Sequence, residues 1–148
     1  MLCRIAGIVE SSGKRLLSVI LFGSYVYSPS KARDVDVIVV VDDLRDINDK
    51  FAMEASISRE LSRLFKKSVD VQVYDLSSFK ENLTVGTVLT GFVLGYKIVY
   101  DVAKVKSEIQ EFLRRVSEED EYILVKKRRW NLVALAKARA RIDEATEK

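Results

Sequence analysis

The sequence predicts an α/β chain, a mixed β-sheet with helices packed on it, carrying a helical extension at its C-terminal end. Three observations carry this prediction. Leu16 to Phe22 and Val35 to Val41 are short, nearly continuous apolar runs, and the second is almost entirely β-branched, as in a central strand covered on both faces. Val69-Asp-Val-Gln-Val-Tyr74 alternates cleanly and reads as a half-buried strand. Between and after these runs, apolar residues recur at helical spacing. With 148 residues, 48% hydrophobic and 32% charged, the chain can bury one core and is neither disordered nor fibrous in composition.

The first element, Leu2 to Lys14, reads as a short helix with Ile5, Ile8 and Val9 on one side and Gly13 as its stop. The first strand ends in Gly23-Ser24. Tyr25 to Arg33 holds the only proline, in Ser28-Pro29-Ser30, and reads as a turn or loop. Asp42-Asp43 closes the second strand, and Asp46 is the expected N-cap of a helix built on Phe51, Ala55, Ile57, Leu61, Leu64 and Phe65, with Arg63, Lys66 and Lys67 in its last turn. Asp75 is expected to cap the helix after the third strand. Leu76 to Leu94 reads as one or two helices, and Tyr96 to Tyr100 as a short returning strand. Helices alternating with strands in this way imply helices packed on a sheet.

After Asp101 the pattern changes. Val105, Ile109, Phe112, Leu113 and Val116 form one helical stripe, and a second helix is expected from about Tyr122 to Ala145. The chain therefore divides into a core over 1–101 and a helical extension over 102–148, which either joins the same compact unit or serves assembly.

Composition excludes several chemistries. No His is present, which removes Ser-His-Asp and Cys-His catalysis and His-liganded zinc. Cys3 is the only cysteine, so neither an internal disulfide nor a thiolate cluster can form. The first residues lack the apolar stretch of a signal peptide, and a cytoplasmic, non-membrane protein is expected. The formal charge is only +3, too small to imply nucleic-acid binding, and the surplus lies in the C-terminal third. There Lys126-Lys-Arg-Arg129 precedes Trp130. A nucleic-acid contact with Trp130 as stacking platform is one reading of it, and a solvated helix face is the favoured one.

The stretch from Leu21 to Asp43 carries the chemistry. A strand delivers Gly23-Ser24, nine residues loop out, and the next strand opens with Asp34-Val35-Asp36. Strand side chains alternate, so Asp34 and Asp36 project from one face, and Asp70 would sit beside Asp36 if their strands pair. Carboxylates gathered at a sheet end repel one another, a cost that divalent cations reverse. An all-oxygen donor set suits Mg²⁺ or Mn²⁺. Gly23 permits close backbone approach by a phosphate, and Ser24 offers a hydroxyl and an N–H. Each residue also has a plain reading. Gly23-Ser24 alone fits a strand-ending turn, Asp34 a loop cap, Asp70 a solvated strand face, and Asp36 an ion pair with Lys31 or Arg33.

Taken together, an apolar strand, Gly23-Ser24, a spacer near ten residues, Asp34-Val-Asp36 and a later strand with Asp70 resemble the nucleotidyltransferases of the DNA polymerase β superfamily, above all its minimal members. The resemblance covers roughly residues 15 to 101. It implies the polymerase β-like fold and transfer of a nucleoside monophosphate from a nucleoside triphosphate, with ATP favoured, to a hydroxyl by a two-metal mechanism. Gly23 and Ser24 would hold the triphosphate, Asp34 and Asp36 would bind both metals, and Asp70 would bind the catalytic metal and help activate the acceptor. The chain departs from many minimal members in having Tyr25-Val-Tyr27-Ser-Pro29 after Gly-Ser, where they carry a small residue and then Arg-Gly. Small prokaryotic members act as antitoxins that adenylylate a helical HEPN-type protein, so the expected partner is such a protein or a second copy of the chain. The alternative is a non-catalytic nucleotide- or partner-binding subunit that keeps the fold.

Overall fold

A computed structural model describes residues 1–84, 87–93 and 95–118, the strand segments Tyr122–Val125 and Arg128–Asn131, and Arg139; for 88–90 and the two segments it describes the backbone. Helix α1 (Leu2–Ser11) leads into β1 (Leu16–Phe22), a one-turn helix α2 (Ser24–Tyr27), β2 (Asp34–Val41), α3 (Ile47–Phe65) and β3 (Ser68–Asp75). Then come α4 (Leu76–Glu81), a 3₁₀ helix (Val88–Val93), β4 (Tyr96–Asp101) and α5 (Val105–Ser117). The sheet runs β3-β2-β1-β4, with β2 and β3 parallel and both neighbours of β1 antiparallel to it. It is the mixed sheet that the alternation of strands and helices predicts.

Both faces of β2 are buried, which is why its sequence shows no polar alternation after Asp36. On one face Val35, Val37, Val39 and Val41 pack with Ile5 and Val9 of α1 and Met53, Ile57 and Leu61 of α3. On the other, Ile38 and Val40 join Ile20, Phe22, Phe79 and Phe92 under α5. All five residues of the α5 stripe are buried there. Asp101 anchors that helix, its carboxylate accepting from the N–H groups of Val105 and Lys106 at 3.0 Å each. Asp46 and Asp75 cap α3 and α4, accepting from Asn48 and Ser78 at 2.8 and 2.7 Å. Asp42 ties two strand ends, accepting from the Arg15 N–H at 2.9 Å, and that bond holds its carboxyl below the ordinary carboxylate range.

Two segments differ from the sequence reading. Ser24 to Tyr27 forms a helical turn where a loop is expected, because nothing in Ser-Tyr-Val-Tyr opposes a helix until Pro29. Proline disfavours helical geometry in the residue before it, and Ser28 accordingly leaves the helix at φ −146° and ψ 69°. Tyr122–Val125 and Arg128–Asn131 do not belong to a second long helix. They pair as antiparallel strands β5 and β6. Tyr122, Ile123, Leu124 and Val125 are strand formers, and a run of four apolar residues cannot reveal its period. The rest of the expected helix, and the side chains from Lys126 to Trp130, lie outside the described residues. Among the described residues no helix is long and apolar enough to cross a membrane.

Strand β3 lies at a sheet edge, and α3 covers it. The Glu54 carboxylate accepts from the Val73 N–H at 2.9 Å, Lys50 donates to the Val73 carbonyl at 2.8 Å, and Ser58 donates to the Val69 carbonyl at 2.6 Å. Lys50 and Glu54 pair with each other at 2.7 Å. Replacing Glu54 by Ala leaves a half-buried N–H without its acceptor and is expected to cost about 1–3 kcal/mol. Denaturant midpoints will read this loss, and Glu54→Gln, whose amide oxygen can accept, will recover part of it.

Tyr74 on the same strand donates to Gln72 at 2.5 Å and lies under the Lys50 ammonium at 5.1 Å. Burial, with a smaller contribution from the Glu54 charge, raises its phenol above the ordinary value of 10.0. The neutral phenol's stabilisation is whole below pH about 10 and is lost as pH rises through the folded-state value, because the unfolded chain ionises first. Melting temperatures between pH 9 and 12 should therefore fall less steeply for Tyr74→Phe than for the parent.

Candidate active site

Strand direction brings the candidate residues to one end of the sheet. Strand β1 delivers Gly23-Ser24 at its C-terminal end, and the antiparallel β2 begins beside it with Asp34 and Asp36. Strand β3, parallel to β2, begins at the same end with Ser68-Val-Asp70. The register is in step. Asp36 pairs with Phe22 on one side and Asp70 on the other, and Phe22 pairs with Tyr96, so Tyr96, Phe22, Asp36 and Asp70 form one row across the sheet.

Paired residues in a ladder share a face, so Asp36 and Asp70 project together, on the side of Ile38 and Val40. Asp34 shares that face by alternation, pairs with Ser68, and is exposed, as is Asp70. Asp36 is half-buried. The row thus places Asp70 on the face that holds Asp34 and Asp36. The side chains are not drawn into one cluster: among the described residues no three carboxylates stand close enough to hold a metal ion together. Like charges on neighbouring strands favour that separation.

Gly23 leaves room for the Asp36 carboxylate. It has φ +78°, and a Cβ built on it would lie 2.6 Å from Oδ2 of Asp36. Only glycine gives both the backbone conformation and the space for that carboxylate. The Gly23 N–H donates to the Gly95 carbonyl at 3.0 Å, which ties the turn to the loop before β4.

Behind α2, Tyr25 stacks edge-on against Phe65, with ring centroids 5.6 Å apart. Lys67 then clamps the following loop. Its ammonium donates to the Pro29 and Ala32 carbonyls at 2.8 and 2.7 Å and lies 5.8 Å from the centre of the Tyr25 ring. Lys67 is not part of the last turn of α3, which ends at Phe65; Lys66 turns the chain in the left-handed conformation at φ 55°. Neither Lys67 nor the Gly95 carbonyl is legible in the sequence as part of the site, since no local pattern marks an acceptor so distant along the chain.

The donor set fits a hard divalent cation by its chemistry, carboxylate oxygens alone, with Asp36 and Asp70 side by side in the ladder.

A strand-turn-strand unit of this kind, on a mixed sheet whose third acidic strand is in register, defines a nucleotidyltransferase fold. The family model described as polymerase beta nucleotidyltransferase matches residues 4–94, and the chain belongs to that family. No curated protein sequence matches the chain. Among solved structures, the chain is similar to one from a mutant of the toxin-antitoxin MntA-HpeT, at 16% identity, covering 99% of this chain and 98% of that one with TM-score 0.50. A toxin-antitoxin structure with AMP-PNP is similar at 16% identity, 97% of each chain and TM-score 0.49. A complex of tri-AMPylated Shewanella oneidensis HEPN toxin with MNT antitoxin is similar at 16% identity, 97% of this chain and 94% of that one, with TM-score 0.46. At these identities the first likeness shows the fold.

Proposed function

We propose that the chain transfers a nucleoside monophosphate from ATP to a hydroxyl group on a helical HEPN-type partner, in the role of an antitoxin. The observation that carries this reading is the register of Asp36 with Asp70 beside the Gly23 turn. Family membership supplies the reaction class. The toxin-antitoxin named for the structure of like fold is in keeping with an antitoxin role, and the HEPN-type acceptor is what the sequence resemblance implies.

In this reading Gly23 and Ser24 hold the triphosphate against the end of β1. The acceptor oxygen bonds to the α-phosphorus as the bond from that phosphorus to the β-phosphate's bridging oxygen breaks. Pyrophosphate leaves. Asp70, exposed at the start of β3, takes the proton of the attacking hydroxyl. Asp34 and Asp36 would hold Mg²⁺ or Mn²⁺, which when bound supplies charge neutralisation for the phosphate oxygens. The chain's own contribution is positioning, because phosphoryl transfer asks little covalent chemistry of a protein.

The test is incubation with α-labelled ATP and Mg²⁺ or Mn²⁺, with and without a small all-helical protein encoded beside this one. Label on that protein, with equimolar pyrophosphate, is the expected result. Nucleotide binding without pyrophosphate release for any acceptor would overturn it in favour of a non-catalytic subunit.

A further inference from the structure

The Gly23 turn is held from one side by Gly95, whose carbonyl accepts the Gly23 N–H at 3.0 Å. Gly95 is buried and has φ +148°, a conformation that residues with a side chain rarely adopt. Its own N–H donates to the Phe92 carbonyl at 3.2 Å. Glycine has the widest choice of backbone conformations, so the Gly95 carbonyl keeps its aim only where the surroundings restrict it.

Two side chains supply that restriction. A Cβ built on Gly95 would lie 3.2 Å from Nη2 of Arg139 and 3.6 Å from Cγ1 of Val26. Val26 belongs to α2, the helical turn that begins at Ser24. Arg139 comes from far along the chain, outside the residues 4–94 that the family model matches. Its Nε is buried, and the residue as a whole is half-buried. The guanidinium therefore ends beside the glycine that receives the Gly23 N–H. On the other side of Gly23 stands Asp36, with Oδ2 2.6 Å from the place of a Gly23 Cβ. Arg139, Gly95, Gly23 and Asp36 thus form one contiguous series, from the C-terminal region to a candidate carboxylate.

We propose that Arg139 is a positioning residue for nucleotidyl transfer: its guanidinium limits the rotation of Gly95 and so keeps the Gly23 turn in the conformation that receives the triphosphate. The inference rests on the transferase reading for what the turn holds. Arginine suits this task because its planar head is rigid and more weakly hydrated than an ammonium, so it can be seated against a backbone. A lysine ammonium is compact and strongly hydrated, and would fill the same place less completely.

The experiment compares the full chain with Arg139→Met, which keeps an apolar stem, and with Arg139→Lys. Amide exchange at Gly23 is read by NMR without nucleotide, and ATP affinity is measured at fixed Mg²⁺. Melting temperatures show that the variants fold, and Arg139→Lys carries the test alone if Arg139→Met does not. In Arg139→Met the Gly23 amide should exchange about 10-fold faster or more, while the Val19 and Ile20 amides within β1 keep the parent's rates. ATP affinity should fall by about the same factor, because a turn that is receptive for a smaller share of the time binds proportionately less tightly. Arg139→Lys should lie between the two. A merely structural role would lower the melting temperature without singling out Gly23. Unchanged Gly23 exchange in the folded variants overturns the inference and leaves the transferase reading standing; a loss of ATP affinity on its own would mean that Arg139 meets the nucleotide directly. If the parent binds no ATP, the transferase reading fails and takes the positioning role with it, even where the exchange rates show the turn held by Arg139.

Discussion

Replacing Asp36 by Asn is expected to lower nucleotidyl transfer by at least about 10³-fold in the proposed reaction. Each tenfold in rate is about 1.4 kcal/mol of barrier, and neutralisation of phosphate charge by a metal held on carboxylates is worth several kcal/mol. The change removes one negative charge and almost no volume. In the folded chain Asp36 stands opposite Asp70 in the ladder. Metal-induced stabilisation, read as the shift in melting temperature on adding Mg²⁺ or Mn²⁺, should shrink in parallel with activity. A variant that melts early yet responds to metal as the parent does would show that Asp36 serves the fold and not the reaction.

Gly23→Val should damage both properties at once. At φ +78° a branched side chain strains the backbone by about 1–2 kcal/mol, and its Cβ would overlap Oδ2 of Asp36, which lies 2.6 Å from that position. The overlap can be relieved only by moving the carboxylate or the turn. A stability loss of about 2–5 kcal/mol is expected, with transfer falling as far as in Asp36→Asn. Two sources of the stability loss can be separated. Gly23→Ala combined with Asp36→Ala should regain the part caused by overlap and keep the part caused by backbone strain, a coupling that a double-mutant cycle measures. Perfect additivity would mean that the two residues do not contact each other.

Much of this architecture is legible because its determinants are local. The β-branched run of β2, the stripe on α5 and the caps at Asp46 and Asp75 each announce themselves within a few residues. Spacing picks out the candidate residues, and alternation places Asp34 and Asp36 on one face. What spacing cannot supply is the partner of each strand. That Asp70 falls level with Asp36 depends on a parallel pairing reached through the whole of α3. The clamp from Lys67 depends on carbonyls 38 and 35 residues away, and carbonyls leave no mark in a sequence. The antiparallel pair β5 and β6 is hidden for the opposite reason, since its local signal is too short to carry a period, and a helix is expected there instead.

The cover that α3 places over β3 gives the sheet a handed sociability. A bare outer strand invites a foreign strand to add to it, which is the usual beginning of edge-to-edge aggregation. Here the Val73 N–H and carbonyl and the Val69 carbonyl are already engaged by Glu54, Lys50 and Ser58. Among the described residues β4 is the other outer strand. Addition of a foreign strand is thereby opposed at Val69 and Val73, on the flank of the sheet that carries Asp70.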